Sequence, residues 1–171
     1  MKTLTPKLLT LILVSTLLFS CAKEDDGIYF DAVSENINED LTKNVNYSKI
    51  EIDILTIVNS YRESIGINKL TSLDIISGVA DGHTNYMIQE GKISHDNFSQ
   101  RAETLMYQAS AKSVAENVAY GYNSAQAVVD GWLGSETHRA LIENPNFTHF
   151  GISTEANADG RNYFTQMFIK K

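Results

Sequence analysis

The sequence predicts an α+β domain in which helices pack on an antiparallel sheet. Three observations carry this. Apolar residues recur at helical spacing from residue 50 and again from residue 76. Two alternating runs near the C-terminus are joined by a glycine-containing turn, the signal of a hairpin. Helical segments come first and between, and the last two strands follow one another directly.

Taken in order, Ile50, Ile54, Ile57, Val58 and Tyr61 fall on one helical face, and Gly66 is the expected stop. Thr71-x-x-Asp74 has the form of a capping box and is expected to open a second helix. Ile76, Val79, Ala80, His83 and Met87 line its apolar stripe, and Gly91 sits just past its last turn. Residues 114–120 read as a strand with Val114, Val118 and Tyr120 on one side. Ser124 opens a helix containing Ala127, Val128, Gly131 and Trp132. Residues 150–155 and 163–169 are the hairpin strands, joined through Ala158-Asp159-Gly160.

The chain has 171 residues, 43% hydrophobic and 20% charged, which suits one domain with tails and excludes collagen-like, coiled-coil and wholly disordered classes. A formal charge of −7 argues against a nucleic-acid partner, which needs clustered Lys and Arg. One cysteine excludes an intramolecular disulfide and any multi-cysteine zinc site.

Lys2 and Lys7 precede an apolar run over residues 8–19 that is too short to span a bilayer and fits the core of a secretory signal. The run ends Leu18-Phe19-Ser20-Cys21, which resembles a bacterial lipobox. The resemblance implies cleavage before Cys21, lipidation of its sulfur and attachment to a membrane. Ordinary signal cleavage nearby, with Cys21 incidental, is the alternative. Loss of Lys2 and Lys7 takes the formal charge from −7 to −9. Ala22 after the cysteine resembles cargo sent to the outer membrane, and Lys23-Glu24-Asp25-Asp26 resembles the acidic surface-export signal of Bacteroidetes lipoproteins. Residues 22–47 carry seven acidic residues and no sustained periodicity, as a solvated tether would, although Ile28-Tyr29-Phe30 and Val33 could dock on the domain. The expected organisation is a lipoprotein signal peptide over 1–20, a lipid-anchored acidic tether over 21–47, and a folded domain over 48–171.

No GxSxG elbow, P-loop or GxGxxG is present, and a lipidated Cys21 cannot be a nucleophile. Four histidines remain. His83 lies on an apolar helix stripe and reads as a core residue; His149 sits at a loop-to-strand junction and also reads as structural. His95 lies in a loop just past a helix end, where sites concentrate. His138 follows Trp132 by six residues. The 43 residues between His95 and His138 do not form a metal motif by themselves.

Several motifs in a fixed order add to this. They are Asn59-Ser60-Tyr61-Arg62, Ser94-His95-Asp96, Ala115-Glu116-Asn117-Val118, Trp132 through Ser135 to His138-Arg139, Asn144-Pro145 with Gly151-Ile152, and the closing strand 163–168. The series resembles the CAP superfamily of cysteine-rich secretory, antigen 5 and pathogenesis-related 1 proteins, in its bacterial SCP-domain branch. The resemblance implies a three-layer α-β-α sandwich with a central antiparallel sheet and an open cleft holding two histidines and two glutamates. His95, Glu116 and His138 match three of these. Ser135 stands where the fourth carboxylate is expected, and the adjacent Glu136 would be rotated away by about 100° on a helix.

Two neutral imidazoles with a carboxylate can hold Zn or another divalent metal, and the resemblance implies such an ion at His95 and His138, with Glu116 as ligand or orienter. Without metal, Glu116 could orient one imidazole as a general base. The resemblance also implies binding of sterols, other lipids or partner proteins. The expected function is therefore an envelope-anchored binding module for a lipid, peptide or protein ligand; the alternative is a metal-dependent, peptidase-like hydrolase acting on a peptide or cell-envelope substrate.

Overall fold

The computed structural model describes residues 28–31, as backbone, and residues 45–171. The signal peptide, Cys21 and the acidic run 23–26 lie outside the described residues. Among the described residues no helix is long and apolar enough to cross a membrane.

The elements are β1 (Ile28–Asp31), α1 (Lys49–Ser64), β2 (Thr71–Ser72), α2 (Asp74–Glu90), α3 (Phe98–Gln108), β3 (Ser113–Tyr120), α4 (Ala125–Gly134), α5 (Glu136–Glu143), β4 (His149–Ala156) and β5 (Asn162–Lys170). The sheet order is β1-β3-β5-β4-β2. All pairs are antiparallel except the two-residue β2–β4 pair.

Strand alternation sends successive side chains to opposite faces, and this sorts the core into two layers. Ala115, Ala119, Phe150, Ile152, Phe164 and Phe168 point toward α1, α4 and α5, where Trp132 packs edge-on to Phe164. Val114, Met167 and Ile169 point the other way, against Ile76, Val79 and Ala80 of α2 and Ala102 and Leu105 of α3. The result is the expected α-β-α sandwich. Gly151 lets α2 approach the sheet: a Cβ there would run into the backbone of Ile76 and Ser77.

Polar residues in the early motifs tie loops rather than chemistry. Arg62 is fully buried and donates to the carbonyls of Asn68, Ile142 and Asn144. Asn59 exchanges two 2.8 Å hydrogen bonds with the backbone of Leu70.

Several local expectations are corrected. Thr71 is no helix cap; its N–H bonds to Thr148 O as part of β2, and α2 starts after Leu73 with no side-chain cap. The 11-residue helix α3 has no counterpart among the periodic segments, because Arg101 interrupts its apolar stripe. The chain between Trp132 and His138 is not one helix: Ser135 is extended (φ −96°, ψ 126°) and separates α4 from α5. Ile28–Asp31 pairs with β3 as a strand, in keeping with the docking noted for Ile28-Tyr29-Phe30.

Candidate functional site

Glu116 is the centre of the site. It sits mid-β3 and points toward α2 and α3, fully buried. Arg101 of α3 grips both of its oxygens, Nε to Oε2 at 2.7 Å and Nη2 to Oε1 at 2.8 Å. His95, in the loop between α2 and α3, donates from Nδ1 to Oε1 at 2.8 Å. His83 of α2 brings Nε2 to 3.8 Å from the same oxygen and donates that N–H to the carbonyl of Ser94 at 2.7 Å.

The local sequence explains each placement. Phe98, Arg101, Ala102 and Leu105 follow the i, i+3, i+4, i+7 pattern, so Arg101 belongs to the buried face of α3. Its third contact, Nη1 to Asp96 O at 2.7 Å, holds the loop that presents His95. Gly91, at φ 67°, ends α2 and starts that loop. Tyr86 donates to Asp96 Oδ2 at 3.2 Å and closes the loop against α2.

The electrostatics follow. Burial pushes the Glu116 carboxyl up, but the hydrogen bonds from His95 and Arg101 and the guanidinium charge outweigh it and hold it below the usual carboxylate range. Burial holds His83 below the ordinary imidazole value; Glu116 partly offsets this, and Arg101 adds to it. Glu116 is therefore a fixed anion and His83 a neutral donor. Because a carboxylate only accepts, His95 carries a proton on Nδ1, which leaves Nε2 as the ring nitrogen not engaged by Glu116. The His95 side chain is 19% exposed, the most of the four members of the cluster.

The structure thus brings together His95 and Glu116, and adds Arg101 and His83. It places α5, which carries His138, against the opposite face of the sheet: Asn117, the neighbour of Glu116, donates from Nδ2 to His138 O at 3.3 Å. Asn117 braces α5 rather than the His95 loop. The Ser94 and Ser135 hydroxyls bond to Asp96 N–H and to Thr137. Glu136 opens α5 and is exposed. Sequence reasoning misses Arg101 because a lone arginine reads as a surface charge; its place on the α3 stripe is the available signal.

In this cluster Glu116 would orient rather than ligate a divalent ion, and His95 Nε2 would be the ligand atom. Both Glu116 oxygens are engaged, His95 Nδ1 and His83 Nε2 carry protons, and among the described residues no group of three or more His, Cys, Asp or Glu converges as a metal shell. A shallow groove of about 250 Å³ between α2 and α3, lined by Gly78, Gly82, His83, Tyr86 and Arg101 among others, backs the cluster.

Fold and site define a three-layer α-β-α domain with an imidazole–carboxylate–guanidinium cluster on one side of its sheet. The chain belongs to the CAP family, the cysteine-rich secretory protein family, whose pattern matches residues 55–168. It is similar to the uncharacterized membrane protein YlbC of Bacillus subtilis, 34% identical over 71% of this chain and 34% of that one, so it spans about a third of that relative's length. The structure resembles an outer surface protein of Borrelia burgdorferi (TM-score 0.63, 23% identity, 69% of this chain and 90% of that one). It also resembles an extracellular SCP-domain protein of Bacillus anthracis (TM-score 0.61, 27% identity, 71% and 40%).

Proposed function

We propose that this chain is an extracytoplasmic, lipid-anchored CAP module that binds a ligand at His95. The single observation that carries the reading is the saturation of Glu116. Arg101 and His95 occupy both of its oxygens, so the carboxylate acts as an orienter of His95 and not as a base for water. The oriented ring offers Nε2 to a ligand N–H or O–H at the protein surface. The N-terminal signal and Cys21 support attachment to the cell envelope, at the outer membrane and on its surface, and the extracellular and outer-surface relatives are consistent with that location.

The test is a defined random peptide library passed over wild-type protein and His95→Ala, with intact and cleaved peptides read by mass spectrometry. Enrichment of uncut peptides that is lost in His95→Ala supports the binding module. Cleavage that disappears in Glu116→Gln establishes the hydrolase instead, and absence of both overturns a peptide ligand. Zinc titrated into wild type and the His95→Ala, His138→Ala double variant checks the metal: binding by wild type alone supports an ion held by the two histidines, and equal binding by both overturns it. Anchoring fails if Cys21→Ser leaves membrane partition and precursor processing unchanged.

A further inference from the structure

The lysines of the folded domain divide into two sets. Lys49, Lys69 and Lys92 each face a carboxylate, Asp53 at 2.7 Å, Glu63 at 3.0 Å and Asp96 at 3.4 Å. Lys112, Lys170 and Lys171 are exposed and pair with no carboxylate among the described residues. The chain is acidic, with a formal charge of −7, so these cations are not free for want of anions.

The fold gathers all three at one end of the sheet, where β3 starts and β5 finishes. Lys112 N–H bonds to Lys170 O at 2.7 Å, and Ser113 stands opposite Lys170. Successive side chains of β5 alternate, so Lys170 follows Phe168 toward the α1 layer and Lys171 turns to the other face. There Lys171 shares a groove with Asp74, Gln108 and Ala109. Burial, and then the Lys171 charge, hold the neighbouring His149 below the ordinary imidazole value. Asp74 bonds Tyr47 Oη at 3.1 Å and no lysine. Charges beyond about 8 Å are largely screened at physiological ionic strength, so this end presents a local positive face on an acidic molecule. Tyr107 stands beside it in the last turn of α3 and, at 60%, is the most exposed large apolar side chain among the described residues. A half-apolar ring next to lysines suits the headgroup level of a membrane.

The attachment of the chain names the occupant. β1 runs from Ile28, opposite Glu116, to Asp31, opposite Ser113, and so ends beside Lys170. That is about 10 Å of strand. Cys21 precedes Ile28 by seven residues, enough chain to double back past the lysine end.

We propose that the sheet end carrying Lys112, Lys170 and Lys171, with Tyr107 beside it, docks on the anionic phospholipid headgroups of the membrane that holds Cys21. Each lysine near such a surface raises occupancy about five-fold, on the order of 100-fold for the three together. That is weak for recruiting a free domain and sufficient to orient one that lipid already holds. α2 starts at this end, and its 17 residues carry the chain about 25 Å to the loop that bears His95. Docking therefore turns the start of that loop away from lipid, toward an incoming ligand. The proposal rests on the membrane-attached reading and not on the His95 ligand.

The experiment uses the chain from Cys21 to Lys171, coupled through its one thiol to a maleimide lipid in vesicles of phosphatidylcholine, alone or mixed with phosphatidylglycerol. Chemical coupling supplies the anchor, so the result is separate from whether Cys21 is lipidated in the cell. Lysine acetylation is followed by mass spectrometry. Lys112, Lys170 and Lys171 are expected to react at least about five-fold more slowly on the anionic vesicles, with Lys49, Lys69 and Lys92 unchanged, and the difference is expected to vanish in about 1 M salt. In Lys170→Gln, Lys171→Gln, Lys112 should return to its neutral-vesicle rate. Equal rates on the two vesicle types overturn the proposal, and so does protection of Lys112 that persists in the double variant. Slow labelling of all three on neutral vesicles and in the uncoupled chain also overturns it, because protein then covers the face instead of lipid, either residues 32–44 with Glu35, Glu39 and Asp40 or a second copy.

Discussion

Arg101 and Glu116 meet fork to fork, through bonds of 2.7 Å and 2.8 Å that leave neither carboxylate oxygen without a guanidinium N–H. Removing one partner of a buried pair strands the other charge, at a cost of about 3–5 kcal/mol. Arg101→Ala is therefore expected to lose about that much stability in urea unfolding at unchanged m-value. Arg101→Lys keeps the charge but not the fork and should recover only part. A loss below about 1 kcal/mol in Arg101→Ala would contradict the burial and pairing described for this cluster.

The same cluster sets a two-stage acid response. His83 is held below its ordinary value of 6.5, among Glu116, Arg101 and His95. Its unfolded form then binds more protons, so the stability it contributes is present above about pH 6.5 and falls as pH drops below that. Glu116 is held below 4.5, so its contribution is lost later, as pH falls from 4.5 through the lowered folded value. His83→Gln is expected to flatten the melting-temperature profile just below about pH 6.5 and to leave the lower stage in place. A variant profile parallel to wild type across the upper window would contradict this.

Gly151→Ala places a methyl group into the backbone of α2 at Ile76 and Ser77. Backbone cannot rotate away as a side chain can. The expected destabilisation is at the top of, or beyond, the usual overpacking range of about 1–3 kcal/mol. Calorimetry of Gly151→Ala checks it, with Gly82→Ala as the contrast, since a Cβ there meets nothing within 4 Å.

Gln166 is fully buried on β5, opposite Asn117 of β3, with neither side-chain polar atom bonded; Asn117 Oδ1 is also unbonded. Unmade buried bonds cost about 1–3 kcal/mol each. Gln166→Met, close in volume, is expected to raise stability by about 1–2 kcal/mol in chemical unfolding. Destabilisation would mean that an ordered water bonds there.

What can be read from the sequence depends on the range over which each interaction acts. Ile50 to Tyr61, the stripe from Ile76 to Met87 and the turn at Gly160 are local patterns, and each element forms where its period or turn residue places it. Thr71 misleads because a short side chain three residues before an acid looks the same whether its backbone caps a helix or pairs with His149. β1 reads only as a docking possibility because its partner strand lies some 85 residues along the chain. His95 and Glu116 emerge through motif order. Arg101 does not, because only the third dimension shows that its face of α3 meets a carboxylate. The placement of α5 turns on Ser135, whose extended backbone no periodicity reveals.

The pairing of Ile28 with Glu116 also fixes a distance. An anchor at Cys21, as proposed above, would lie at most about 25 Å of chain contour from Ile28, seven residues on. The pairing of β1 with β3 therefore turns a point of attachment in the sequence into a limit on how far the sheet can stand from whatever holds Cys21.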